Sequence, residues 1–201
     1  MNVISNILYW ISTGLLVPVI VLLIIFFIRA VMLIGIFFGQ YMQHKKSATV
    51  INEKIKKLTP ATLEEFKSTL PAKSSTVEIA FIKKIIDAGA NRAKTDLILS
   101  DYELDADKNI SSSKILTKMG PILGFMGTLI PMGPALVGLA TGDIASMAYN
   151  MQVAFATTVV GLVVSAIGFV TQQVKERWAV ENLSVMEYLA DIVCQSKTEK
   201  Q

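Results

Sequence analysis

Residues 119–172 read MGPILGFMGTLIPMGPALVGLATGDIASMAYNMQVAFATTVVGLVVSAIGFVTQ, and this stretch decides the fold. Two apolar runs rich in Gly, Ala and Thr flank a short turn at Gly142-Asp143. Asp143 is the only formal charge between Lys118 and Lys175. A helix needs roughly 20 apolar residues to cross a bilayer, and the runs at 119–139 and 144–170 are both long enough. The stretch predicts a membrane helical hairpin whose polar content is limited to hydroxyls and amides.

Working outward, a third apolar run fills residues 7–39. At 33 residues it would make roughly 50 Å of helix, more than a bilayer core requires. Arg29 resolves the excess. If residues 7–28 cross the membrane, Arg29 falls at the inner interface, where its side chain reaches the headgroups, and Tyr9 and Trp10 sit in the outer aromatic belt. Pro18 should bend this helix locally. With no basic residue ahead of it and no small-residue cleavage site after it, the run reads as a span and not as a signal peptide.

The basic residues orient the chain. All 19 Lys and Arg lie at Arg29, within 40–118 or after Gln172, and none lies in 1–28 or in the 140–147 turn. The positive-inside rule then puts the N-terminus and the turn outside and the C-terminus in the cytoplasm. The fold class expected is all-α: an integral membrane protein with three transmembrane helices that extend into a cytoplasmic helical region. Its parts are a first span with cytoplasmic extension (7–39), a cytoplasmic helical segment (40–118), a second span (119–139), an external turn (140–147), a third span (148–172) and a cytoplasmic tail (173–201). In the 40–118 segment, Pro60 and Pro71 break the helices, 62–70 fits a short helix, and 77–105 is amphipathic with a weak point at Gly89. Ser111, Ser112 and Ser113 are placed to cap the second span. The tail is amphipathic, with Trp178, Leu183, Met186 and Leu189 among charges.

Composition excludes several classes. A net charge of +3, with the basic residues accounted for by topology, points to a lipid bilayer and to no nucleic-acid partner. Cys194 is the only cysteine and His44 the only histidine, so neither a disulfide nor a metal cluster is indicated. His44 reads as an interfacial residue. No nucleophile–base pair or nucleotide loop appears, so no catalytic residue, cofactor or enzyme activity is expected.

The hairpin carries two small-residue faces. In the second span Gly120, Gly124 and Thr128 follow at steps of four, with Gly127 beside them. In the third, Asn150, Ala154, Thr158, Gly161, Ser165 and Gly168 follow at steps of three or four and share one helical face. Thr157 points about 100° away, where it would bond a carbonyl one turn back or meet an adjacent subunit. Small faces of this kind admit a second helix closely. Simple helix packing and the wall of an ion path both fit.

These residues resemble the MotA/TolQ/ExbB proton-channel family. Its second span opens on a proline and a pattern like LGLLGTV, matched here by Pro121-Ile122-Leu123-Gly124-Phe125-Met126-Gly127-Thr128-Leu129. Its third span carries a pattern like A-T-x-x-G-L, matched by Thr157-Thr158-Val159-Val160-Gly161-Leu162. Three spans make the chain more similar to TolQ and ExbB than to four-span MotA. Pro131 and Pro134 depart from the usual pattern, and Gly168 stands where a proline often closes the third-span motif.

The resemblance implies an inner-membrane subunit that forms a homopentamer around a single-span partner of the ExbD, TolR or MotB type and uses ion flow for mechanical work. The residues add one requirement. The second and third spans contain no Asp, Glu, His, Lys or Arg, so a titrating carboxylate at the midplane must come from another chain. Thr128, Thr158 and Ser165 would line the ion path, and Gly120, Gly124, Gly127, Asn150, Ala154, Gly161 and Gly168 would pack the partner helix. Protons are the expected ion, with Na⁺ as the alternative that paired hydroxyls would coordinate. A structural scaffold, in which the small faces serve only oligomer packing, is the competing reading. A substrate transporter fits less well, since no internal repeat is present.

Overall fold

The computed structural model describes the backbone of residues 2–56, 77–89 and 91–198. Among these residues are four helices and no strand: α1 (Asn2–Lys56), α2 (Val77–Ala88), α3 (Arg92–Thr141) and α4 (Ile144–Thr198). α1, α3 and α4 each contain a stretch long and apolar enough to cross a membrane. The short helix expected at 62–70 and the breaks at Pro60 and Pro71 lie outside the described residues.

Local chemistry sets the helix ends, and two of them differ from the sequence reading. The three serines lie inside α3, which runs unbroken from Arg92. The cap belongs to Asn91, whose Oδ1 accepts the Lys94 amide at 3.1 Å and so satisfies one of the donors a helix start leaves unpaired. Gly89, at φ 62°, closes α2 ahead of it. The turn between the apolar helices is also tighter than 140–147, because α3 continues to Thr141 and α4 starts at Ile144. Gly142 takes φ 75°, the Asp143 amide bonds the Gly138 carbonyl at 2.8 Å, and the Gly142 amide bonds that of Leu139 at 3.3 Å. This paired closure ends α3 in one step. Asp143 Oδ1 then accepts the Ser146 amide at 3.0 Å, so the single charge of the hairpin caps the positive end of α4.

The chain divides into two compact units. The first comprises Met1–Phe37 and Ser111–Gln172. In it α1 packs on the hairpin through Val19 and Leu23 against Leu123, and through Ala30 and Leu33 against Leu116 and Val164. Most other apolar side chains here face outward; Val17, Ile28, Leu129, Leu136, Phe155 and Val159 are each more than half exposed. Water would penalise so much contiguous apolar surface, whereas hydrocarbon accepts it. Arg29, Tyr9 and Trp10 are exposed on α1.

The second unit, Phe38–Ile110 with Gln173–Gln201, has a core of the soluble kind. Ile82, Ile85, Ile98 and Tyr102 pack with Val185, Met186, Leu189 and Val193, and Phe81 meets Tyr102 edge-on at 5.3 Å. Of the apolar trio 97–99, Ile98 is buried and Leu97 is exposed, as the helical period requires. Met186 and Leu189 of the amphipathic tail are both in this core. Arg92 pairs with Asp96 and Asp191 on the exposed rim.

Leu189 is fully buried, and removing a buried leucine side chain costs about 2–5 kcal/mol. Leu189→Ala is therefore expected to lower the unfolding free energy of the second unit by that much, read by chemical denaturation of the purified chain in detergent.

Candidate functional site

The small residues of α3 and α4 meet each other. A methyl built on Gly120 would lie 2.6 Å from the Gly161 carbonyl oxygen and 2.8 Å from the Ser165 amide nitrogen. One built on Gly161 would lie 2.6 Å from the Gly120 oxygen and 2.9 Å from the Gly124 Cα. Backbones this close leave no room for a side chain, so glycine is required on both helices. Further along, Gly127 sits against the Thr157 side chain, Gly138 against Met147, and Gly168 against Thr117 and Leu116. The pairs run antiparallel down one continuous seam.

Along this seam Gly120, Gly124, Gly127, Gly161 and Gly168, read in the sequence as packing a partner helix, face the other arm of the same hairpin. The close approach that they permit is already occupied by the other arm of the same hairpin. Ala154 is also buried, and the Asn150 amide nitrogen donates to the Ser146 carbonyl at 2.8 Å. The register differs as well. The buried line on α4 runs Ala154, Thr157, Gly161, Val164, Gly168, Thr171, and on α3 it passes through Gly127 instead of Thr128. Thr157 is 6% exposed, and its hydroxyl donates to Val153 and Ala154 carbonyls of its own helix. The expected back-bond to a carbonyl one turn earlier is present, and the packing is on Gly127.

Thr128 and Thr158 each follow a seam residue, and each is half-buried. In an antiparallel helix pair, the residue after a seam position turns toward the same edge on both helices, by about 100° of rotation. Thr128, after Gly127, and Thr158, after Thr157, therefore lie at one level along one edge. The opposite edge is taken. Leu123, Met126 and Ile130, which precede Gly124, Gly127 and Pro131, pack with Val160 of α4 against Val19 and Leu23 of α1. Among the described residues, the α1 side chains in this cluster lie on that opposite edge and not on the threonine edge. The threonine hydroxyls donate to carbonyls of their own helices, Thr128 to Phe125 at 2.8 Å and Thr158 to Ala154 at 3.1 Å. Each oxygen keeps acceptor capacity.

Ser165 has a different task. Pro121 has no amide hydrogen, so the Thr117 carbonyl loses its normal partner four residues on. The Ser165 hydroxyl donates to that carbonyl at 2.9 Å, across the seam. Unsatisfied backbone groups are costly in hydrocarbon, and this bond removes one. Deeper in the same seam Thr171 donates to the Ser113 hydroxyl at 3.2 Å. The small-residue faces read from the sequence left out Thr117 and Thr171, and Ser113 was read there only as a helix cap. The signal was present, since the three-and-four spacing continues from Gly168 to Thr171 and back from Gly120 through Thr117 to Ser113. Among the described residues, no group of three His, Cys, Asp or Glu could hold a metal ion.

The family model for the MotA/TolQ/ExbB proton channel family matches residues 51–187, about two thirds of the 201-residue chain. No curated protein matches the chain, and no solved structure matches it.

The Pro121–Ser165 pairing makes a double-mutant prediction. Ser165→Ala leaves the Thr117 carbonyl without its donor and is expected to cost about 1–3 kcal/mol. In a Pro121→Ala background the amide at position 121 returns to that carbonyl, and the same serine substitution should cost less than half as much. Denaturation midpoints of the four proteins in detergent give the coupling directly.

Proposed function

The chain belongs to the MotA/TolQ/ExbB proton channel family, and from that premise we propose that it is the multi-span subunit of a proton-driven motor in the cytoplasmic membrane. Five copies surround a single-span partner of the ExbD, TolR or MotB type, and proton passage drives mechanical work on another envelope or motor component. The distribution of Lys and Arg supports an external N-terminus and a cytoplasmic C-terminus. In that orientation Arg29 reaches the inner headgroups and Tyr9 and Trp10 the outer interface.

The observation that carries this reading is the uncovered edge of the hairpin. It presents two hydroxyls at one level, Thr128 and Thr158, on a wall with no titrating group of its own. The family's channel function then calls for a carboxylate from another chain. The partner's membrane Asp approaches this edge, and the two threonines hydrate it and pass the proton. Ser165 lies on the same edge about two turns further along α4 and holds the wall's backbone closed beside the path. Protons are the transported ion; Na⁺ is the alternative that the hydroxyl pair keeps open. A scaffold that relies on small-residue stripes for oligomer packing is disfavoured, because those stripes are used inside the chain.

A hydrogen bond to a charged group is worth about 1.5–3 kcal/mol. Thr158→Val keeps the shape and removes the hydroxyl, so proton uptake by vesicles holding the chain and its single-span partner is expected to fall about tenfold or more. Unchanged flux removes Thr158 from the path. Flux that follows a sodium gradient and ignores a collapsed pH gradient reverses the choice of ion.

A further inference from the structure

The one histidine of the chain lies outside the ion path, in the second unit. His44 of α1 stacks on Trp178 of α4, with ring centroids 4.4 Å apart and planes 9° from parallel. Tyr41, one turn earlier on α1, tilts onto the same indole at 5.9 Å. Trp178 thus clasps two rings of α1. The Nε2 atom of His44 is buried and has no hydrogen-bond partner among the described residues.

That slot suits a neutral imidazole better than a charged one. A protonated ring is a donor at both nitrogens, and the described residues offer Nε2 no acceptor. Burying such a charge unpaired is expensive. The carboxylates that bear on the ring are Glu78 of α2 and Glu181 of α4. Desolvation of the ring outweighs the pull of the two glutamates, and the His44 pKa lies below its ordinary value.

We propose that His44 and Trp178 form an acid-released latch between α1 and α4: the neutral ring stays stacked, and the protonated ring leaves the indole toward Glu78 or Glu181. Because the folded form binds the proton less readily than the unfolded chain, the contact contributes fully above the ordinary histidine value of 6.5. It is lost progressively as pH falls from there to the lowered value in the fold. In the topology proposed above, the latch faces the compartment that receives the protons, so it responds to acidification downstream of the channel. The latch rests on the second unit alone, and its test requires no ion flux.

The chain has two tryptophans, so Trp10→Phe leaves Trp178 as the only reporter. The full-length Trp10→Phe protein in lipid nanodiscs is titrated from about pH 8 to about pH 5, across the histidine range. Trp178 emission is expected to shift with a midpoint below 6.5. Adding His44→Gln should abolish the transition, and adding His44→Phe should hold the high-pH spectrum throughout. If the phenylalanine variant does not fold, the glutamine variant carries the comparison. Three results overturn the latch: no transition in Trp10→Phe, a transition that survives His44→Gln, or a midpoint above 6.5, which would mean that the protonated ring is the one retained.

Discussion

The contact of Gly120 and Gly124 with Gly161 governs the hairpin. It is a backbone-to-backbone approach, and a single methyl on either side would lie under 3 Å from the opposing chain at the tightest points. Such an approach maximises dispersion contacts where lipid gives helices no hydrophobic reason to associate. It also sets the register. With Gly161 held between Gly120 and Gly124, Gly127 must meet Thr157, and Gly168 must meet Thr117. The edges of the pair follow from the register: residues that precede the seam positions meet α1, and those that follow them stay open.

The polar groups of the hairpin are arranged so that it can exist in lipid alone and still receive a charge. Thr128, Thr157 and Thr158 each donate to a carbonyl of their own helix, which hides the hydroxyl proton from hydrocarbon. The carbonyl freed by Pro121 is satisfied by Ser165. The one charge, Asp143, is used as a helix cap at the turn. A carboxylate arriving at the open edge would find hydroxyls that can rotate from a local carbonyl to a stronger, charged acceptor. The second unit is built on other principles, with an ordinary apolar core and a charged rim.

Much of this was legible in the residues. The three apolar runs, the absence of charge between Lys118 and Lys175 except Asp143, and the three-and-four spacing of small residues all follow from composition and helical period. What could not be read was which side of each small face meets its neighbour. Thr157 and Thr158 differ by a single 100° step, and periodicity alone accepts either. The outcome depends on the partner, since Gly127 admits the Thr157 side chain where a larger residue would not. The serine caps expected at 111–113 failed for a related reason. Ser113 and Thr171 satisfy each other inside the seam, so the serine is a packing residue and α3 has no reason to stop there. The stacking of His44 on Trp178 joins positions far apart in sequence, and no local pattern announces it.

The central claim is that the edge bearing Thr128 and Thr158 receives a carboxylate-bearing helix. Disulfide crosslinking in a Cys194→Ser background tests it most directly, with one cysteine placed on this chain and another beside the membrane Asp of the proposed single-span partner. The account predicts a crosslink from Thr158→Cys and from Thr128→Cys, and none from Val17→Cys on the outer face of α1. A crosslink from position 17 with none from 128 or 158 would contradict it.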